Sequence, residues 1–121
     1  MRVLLVTGDE GLKERLLDIL RKKGYKAACV DSCEKALEHL FEYDSDLIIF
    51  DPDVKELEGT DVLPVIKKIQ SNTPVIVVSD NSTHEADVKV AKAGVYFRLG
   101  KAFDDQIINQ LLTIVEKNQQ G

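Results

Sequence analysis

The sequence predicts one α/β domain built on a doubly wound parallel sheet. Three observations carry that prediction. Short apolar or β-branched runs recur five times along 121 residues, and segments of helical periodicity alternate with them. Two of the runs, LIIF and VIVV, are apolar on both faces, as strands covered by helices on each side must be. The length suits a single core, so residues 1–121 are read as one domain, with 117–121 as a polar tail that is either frayed or the start of a linker.

The strand-like runs are residues 2–7, 26–30, 46–50, 74–79 and 95–99. Helical spacing places Leu12, Leu16, Ile19 and Leu20 on one face of a first helix, and Ala36, Leu37, Leu40 and Phe41 on one face of a second. Val62, Leu63, Ile66 and Ile69 mark a third helix, and Val88, Ala91 and Ala93 a weaker fourth. In the fifth, Ile107, Ile108, Leu111, Leu112 and Val115 are expected to face inward together. Gly24, Gly59 and Gly94 punctuate element ends, Ser32 and Thr60 are expected to cap the second and third helices, and Pro64 is expected near the third helix's start.

A formal charge of -5 argues against a nucleic-acid footprint, which needs clustered Lys and Arg. No stretch is long and apolar enough to span a membrane, and residues 1 and 2 lead straight into a strand-like run rather than a signal peptide. A cytoplasmic location follows as the expectation, with Cys29 and Cys33 kept as thiols. His39 and His84 lie too far off in sequence to suggest a zinc site.

In a doubly wound sheet, ligands bind beyond the carboxyl ends of the strands. Those ends read Thr7, Gly8, Asp9 and Glu10; then Asp51 and Asp53; then Ser79 and Asp80; then Lys101. Carboxylates brought together repel unless a cation neutralises them, which points to Lys101 and to a hard, oxygen-seeking ion such as Mg²⁺. A solvated acidic rim with Lys101 as an ordinary ion-pair partner is the bland alternative. Convergence after successive strands favours a site.

DLIIFD ending at Asp51, Gly59 eight residues later, TPVIVVS ending at Ser79, AKAG ending at Gly94, and LGKAF containing Lys101 appear in order. With Gly24, Tyr25, Ala36 and Leu37, they make the whole chain resemble the receiver domains of bacterial two-component response regulators. The resemblance implies a flavodoxin-like topology with five strands in the order 2-1-3-4-5 and five helices. It implies that Asp51 takes a phosphoryl group from a histidine kinase or phosphotransfer protein. Lys101 would pair with Asp51 and the phosphoryl oxygens, Ser79 would hydrogen-bond the phosphoryl group, and Mg²⁺ would be held by Asp51 and the backbone carbonyl of Asp53. Such a domain assists its own phosphorylation and dephosphorylation without being a conventional enzyme, and it binds no organic cofactor.

Several positions depart from the family's pattern. The acidic pair at the end of the first strand is replaced by Thr7 and Gly8, so Asp9 and Glu10 would reach a metal only through a shifted loop or a bridging water, or would instead cap the first helix. Ala102 follows Lys101 where proline is usual; a cis bond there costs about 3 kcal/mol, so a trans bond is expected. Arg98 stands where the family has its switch aromatic, and is expected at the surface; Tyr96 shares its face two residues away. Asp80 follows Ser79 where a small residue is usual, and would either repel a phosphoryl group or turn outward to cap the loop before Asn81. Lys55 replaces a common proline.

The leading expectation is a phosphoaccepting receiver that signals through its fourth helix, fifth strand and fifth helix to an effector domain or a second copy. The alternative is a pseudo-receiver that serves as a phosphorylation-independent interaction or dimerisation module. A flavin site at TGDEG is disfavoured by its acidity and by the lack of tryptophan, and triad hydrolysis by the histidines' positions.

Overall fold

In a computed structural model, residues 1–52, 59–80 and 97–120 are described. The strands are β1 (Arg2–Val6), β2 (Lys26–Val30), β3 (Leu47–Phe50), β4 (Val75–Val78) and β5 (Phe97–Leu99). All neighbours pair in parallel, in the order β2-β1-β3-β4-β5. The helices are α1 (Glu10–Lys22), α2 (Cys33–Glu42), α3 (Gly59–Ile69) and a C-terminal helix, Asp105–Gln120. The weak fourth helix expected around Val88 lies outside the described residues, as do Gly94 and His84.

Strand alternation divides the core into two layers. Val3, Leu5, Leu47, Ile49, Ile76 and Val78 face α1 and the C-terminal helix, burying Leu16, Leu20, Ile108 and Leu112 with them. Their neighbours Leu4, Val6, Ile48, Phe50, Val75 and Val77 face the other way, onto Ala36 and Leu40 of α2 and Ile66 of α3. The two-sided burial expected of LIIF and VIVV is thus observed, every residue of β3 and β4 being buried. α1 buries all four expected residues and ends at Lys22; just past its C-cap Lys23, Gly24, with a φ of 78°, turns the chain toward β2. Ser32 caps α2 as expected, its hydroxyl accepting from the Lys35 amide at 3.2 Å.

Several expectations are corrected. Phe41 is 75% exposed because Cys33, Ala36 and Leu40 form the buried stripe of α2, and Phe41 lies one residue beyond it. Of Ile107 and Ile108 only Ile108 is buried; Ile107, at the edge of the stripe that Ile108, Leu111, Leu112 and Val115 form, is 44% exposed. Helix α3 begins at Gly59, so Thr60 lies inside its first turn rather than capping it, and Pro64 is an internal residue. The C-terminal helix continues through Gln120, across most of the segment read as a tail or the start of a linker, and the Gln119 side-chain amide donates to the Asp46 carbonyl at 2.7 Å.

Candidate functional site

The parallel register brings the strand ends together. Val6 pairs with Phe50, so the next residues, Thr7 and Asp51, come side by side. The Asp51 amide donates to the Val6 carbonyl at 2.8 Å and the Thr7 amide to the Val30 carbonyl at 3.0 Å, extending the ladder one step past the strands. Ser79 is tied in the same way, its amide donating to the Leu99 carbonyl at 2.8 Å. Thr7, Asp51 and Ser79 are all buried, each at 3% exposure or less, in a rim otherwise open to solvent.

A buried carboxylate needs donors or cations around it. Thr7 Oγ1 donates to Asp51 Oδ2 at 2.7 Å, and Lys101 Nζ lies 3.4 Å from the same oxygen. The ammonium also stands 3.6 Å from Asp9 Oδ2, bridging the two carboxylates. Asp9 itself is the N-cap of α1: its Oδ1 accepts from the Leu12 amide at 3.1 Å, and its own amide donates to Thr7 Oγ1 at 3.0 Å. The Leu12 amide holds the Asp9 carboxyl below its ordinary value; desolvation opposes this and the charge of Lys101 adds to it. Thr7 therefore serves two partners, donating its proton to Asp51 and accepting from the start of α1.

Asp80 takes neither expected orientation. Its Oδ1 accepts from the Lys101 backbone amide at 2.8 Å, clasping the loop after β4 to the loop after β5. A Cβ on Gly100 would come within 3.2 Å of that oxygen, so a side chain there would push the Asp80 carboxylate by a few tenths of an ångström. The described residues contain no cis peptide bond, in keeping with the trans Lys101–Ala102 bond expected. Arg98 pairs with Val77 on β5 and is half-buried rather than fully solvated. Asp53, Tyr96 and Lys55 lie outside the described residues. Glu10 is exposed in the first turn of α1, where its charge complements the helix dipole. The contributions of Thr7 and Asp80 were legible in sequence only as departures, because a hydrogen bond between residues 44 positions apart has no local signature.

The family profile of the response regulator receiver domain matches residues 3–113. The chain belongs to that receiver family. Among related proteins, the cell cycle transcriptional regulator CtrA of Caulobacter vibrioides is 28% identical over 120 residues, an alignment covering 98% of this chain and 52% of the relative. The sensory/regulatory protein RpfC of Xanthomonas campestris pv. campestris is 32% identical over 105 residues, covering 84% of this chain and 14% of the relative. This receiver thus spans about half the length of CtrA and far less of RpfC. A CheY-like receiver protein from Methanospirillum hungatei JF-1 shares the fold at a TM-score of 0.90 and 20% identity, covering 99% of this chain and 98% of that one. A two-component response regulator from Clostridium difficile does so at 0.92 and 17%, covering 100% and 99%. Acceptance of a phosphoryl group, dealings with histidine kinases and effector domains, and use of Mg²⁺ are general to receiver domains.

The described residues of this receiver do not fit Mg²⁺ well. A hard divalent ion wants several oxygens with charge among them. The end of β1 offers a neutral hydroxyl already engaged on both sides, and Asp9 is committed to a helix cap and an ammonium. No group of three or more His, Cys, Asp or Glu among the described residues is placed to hold a metal.

Proposed function

We propose that this receiver accepts a phosphoryl group on Asp51 from a histidine kinase or phosphotransfer protein. The observation that carries the proposal is the buried Asp51 carboxyl group, set between the Thr7 hydroxyl and the Lys101 ammonium beside the buried hydroxyl residue Ser79. Phosphoryl transfer calls for positioning and charge neutralisation, and these groups supply both. Asp51 is the nucleophile, Lys101 neutralises charge on the incoming oxygens, and Ser79 supplies a hydroxyl to the bound phosphoryl group. The chain assists its own modification and is not a conventional enzyme. Asp9 works here as a cap and a partner of Lys101.

The output belongs to the last strand and last helix. Phe97 is 43% exposed on the edge strand, and Ile107 and Ile114, two turns apart on the C-terminal helix, are 44% and 45% exposed. These apolar groups suit a protein partner, either an effector domain or a second copy. Arg98 and Tyr96 would relay the state of Ser79 to that face. Acidic charge and thiol cysteines suit the cytoplasm; no helix among the described residues is long and apolar enough to cross a membrane.

Incubation with acetyl phosphate or a phosphorylated kinase, followed by intact mass measurement, tests the proposal. An adduct in the wild type that is absent from Asp51→Asn is expected; an unmodified wild type with a donor that loads other receivers would overturn it. The pseudo-receiver reading draws on the replacement of the β1 acids by Thr7 and Gly8. It requires Asp51→Asn to bind its partner as the wild type does, with no response to phosphodonor.

A further inference from the structure

We infer that the Asp51 pocket is built to work without a divalent cation, with the Thr7 hydroxyl and the Lys101 ammonium together taking the neutralising role. The inference rests on the reading of Asp51 as phosphoacceptor. Its basis is how Asp51 Oδ2 and the two carboxylate oxygens of Asp9 are engaged. Asp51 Oδ2 already receives a proton donor at 2.7 Å and an ammonium at 3.4 Å. A metal ion at this oxygen must displace one of them or sit against the charge of Lys101, and like charges at such range repel strongly in a site of reduced dielectric. Asp9, the nearest acidic residue on the β1 side, is held back by two ties: Oδ1 on the Leu12 amide and Oδ2 facing Lys101. Moving it to a metal would uncap α1.

Thr7 makes this arrangement self-consistent. A carboxylate at that position would stand beside Asp51 in a site of 2% exposure and would demand a cation. The hydroxyl removes that demand and donates to Asp51 instead, while accepting from the Asp9 amide fixes which way its proton points. In the reaction, an Asp51 carboxylate oxygen forms a bond to the phosphorus of the donor as the donor's own P–O or P–N bond breaks. The electron pair leaves with the acetate or the imidazole, and no proton has to leave Asp51. The charge on the phosphoryl oxygens is met by Lys101, with the Thr7 hydroxyl holding the carboxylate in line.

Two measurements test this. In the first, amide spectra of the wild type are followed through a Mg²⁺ titration alongside Thr7→Asp. The strand-end amides of the wild type, including Thr7 and Asp51, are expected to stay in place while those of Thr7→Asp move. Wild-type shifts that saturate with Mg²⁺ and vanish in Asp51→Asn would overturn the inference. Should Thr7→Asp fail to fold, the wild type and Asp51→Asn alone still decide this arm. In the second, acetyl phosphate loads the wild type in EDTA and in Mg²⁺. Equal rates are expected, with Thr7→Val slower by about tenfold, the loss of one hydrogen bond to a charged acceptor. Loading only in Mg²⁺ would overturn the inference. A wild type that loads in neither medium would overturn the phosphoacceptor reading and this inference with it; a saturable Mg²⁺ response beside normal Mg²⁺-dependent loading would overturn the inference alone.

Discussion

At the scale of single residues, Asp9 shows how a side chain can look like a ligand in sequence and act as a cap in the fold. Asp9→Ala should lower stability at neutral pH through loss of the α1 cap, measured by urea unfolding as a lower midpoint at unchanged slope. Asp9→Asn keeps an acceptor for the Leu12 amide and should lose less. Because the folded carboxyl titrates below its ordinary 3.8, its contribution is present above that value and is lost as pH falls through the depressed folded value. The acid limb of the wild-type stability curve should therefore be steeper than that of Asp9→Asn; identical limbs would contradict the assignment. Cys29, whose thiol is pushed up mainly by burial, should alkylate slowly at neutral pH.

At the scale of elements, two junctions decide how the site is held. The Asp80 clasp on the Lys101 amide joins the loops after β4 and β5. Asp80→Ala should cost about 1 kcal/mol and speed hydrogen exchange at the Lys101 amide; unchanged exchange would show that the loop is held by other means. The C-terminal helix makes a sharper test of facing. Ile108→Ala should destabilise by about 2–4 kcal/mol, since Ile108 is fully buried between sheet and helix. Ile107→Ala should stay within about 0.5 kcal/mol. Equal losses at the two positions would mean that the helix is rotated from the orientation described.

At the scale of the whole molecule, α1, β2 and the C-terminal helix are locked by polar contacts at the edge of one core layer. Arg15 lies over the Phe103 ring at 4.0 Å, donates to the Phe103 carbonyl and pairs with Asp105 at 2.7 Å. Tyr25, buried at the start of β2, donates its hydroxyl to Glu116 of the C-terminal helix. Burial, and then this bond and the charge of Glu116, raise the tyrosine hydroxyl above its ordinary 10.0. That contribution is present below 10.0 and is lost as pH rises toward the raised folded value. Tyr25→Phe should cost about 1 kcal/mol at neutral pH and flatten the alkaline limb of the stability curve, read by thermal unfolding across pH.

Much of this was legible in the sequence by itself. The alternation of two-faced apolar runs with helical stripes determined the doubly wound sheet, because strand and helix periods are local properties of the chain. The rule that ligands gather beyond strand carboxyl ends gathered Thr7, Gly8, Asp9, Glu10, Asp51, Asp53, Ser79, Asp80 and Lys101 at one rim, and the family resemblance then singled out Asp51, Ser79 and Lys101 among them. What only the tertiary structure decided were relations across the chain: that Thr7 meets Asp51 along the paired ends of β1 and β3, that Lys101 bridges Asp9 and Asp51, and that Asp80 turns to the Lys101 amide. It also decided which flank of each apolar stripe is covered, exposing Phe41 and Ile107. The physical reason is the same in each case. A period tells which residues share a face, whereas partners and coverage depend on how strands register and helices pack, and no window of neighbouring residues contains that information.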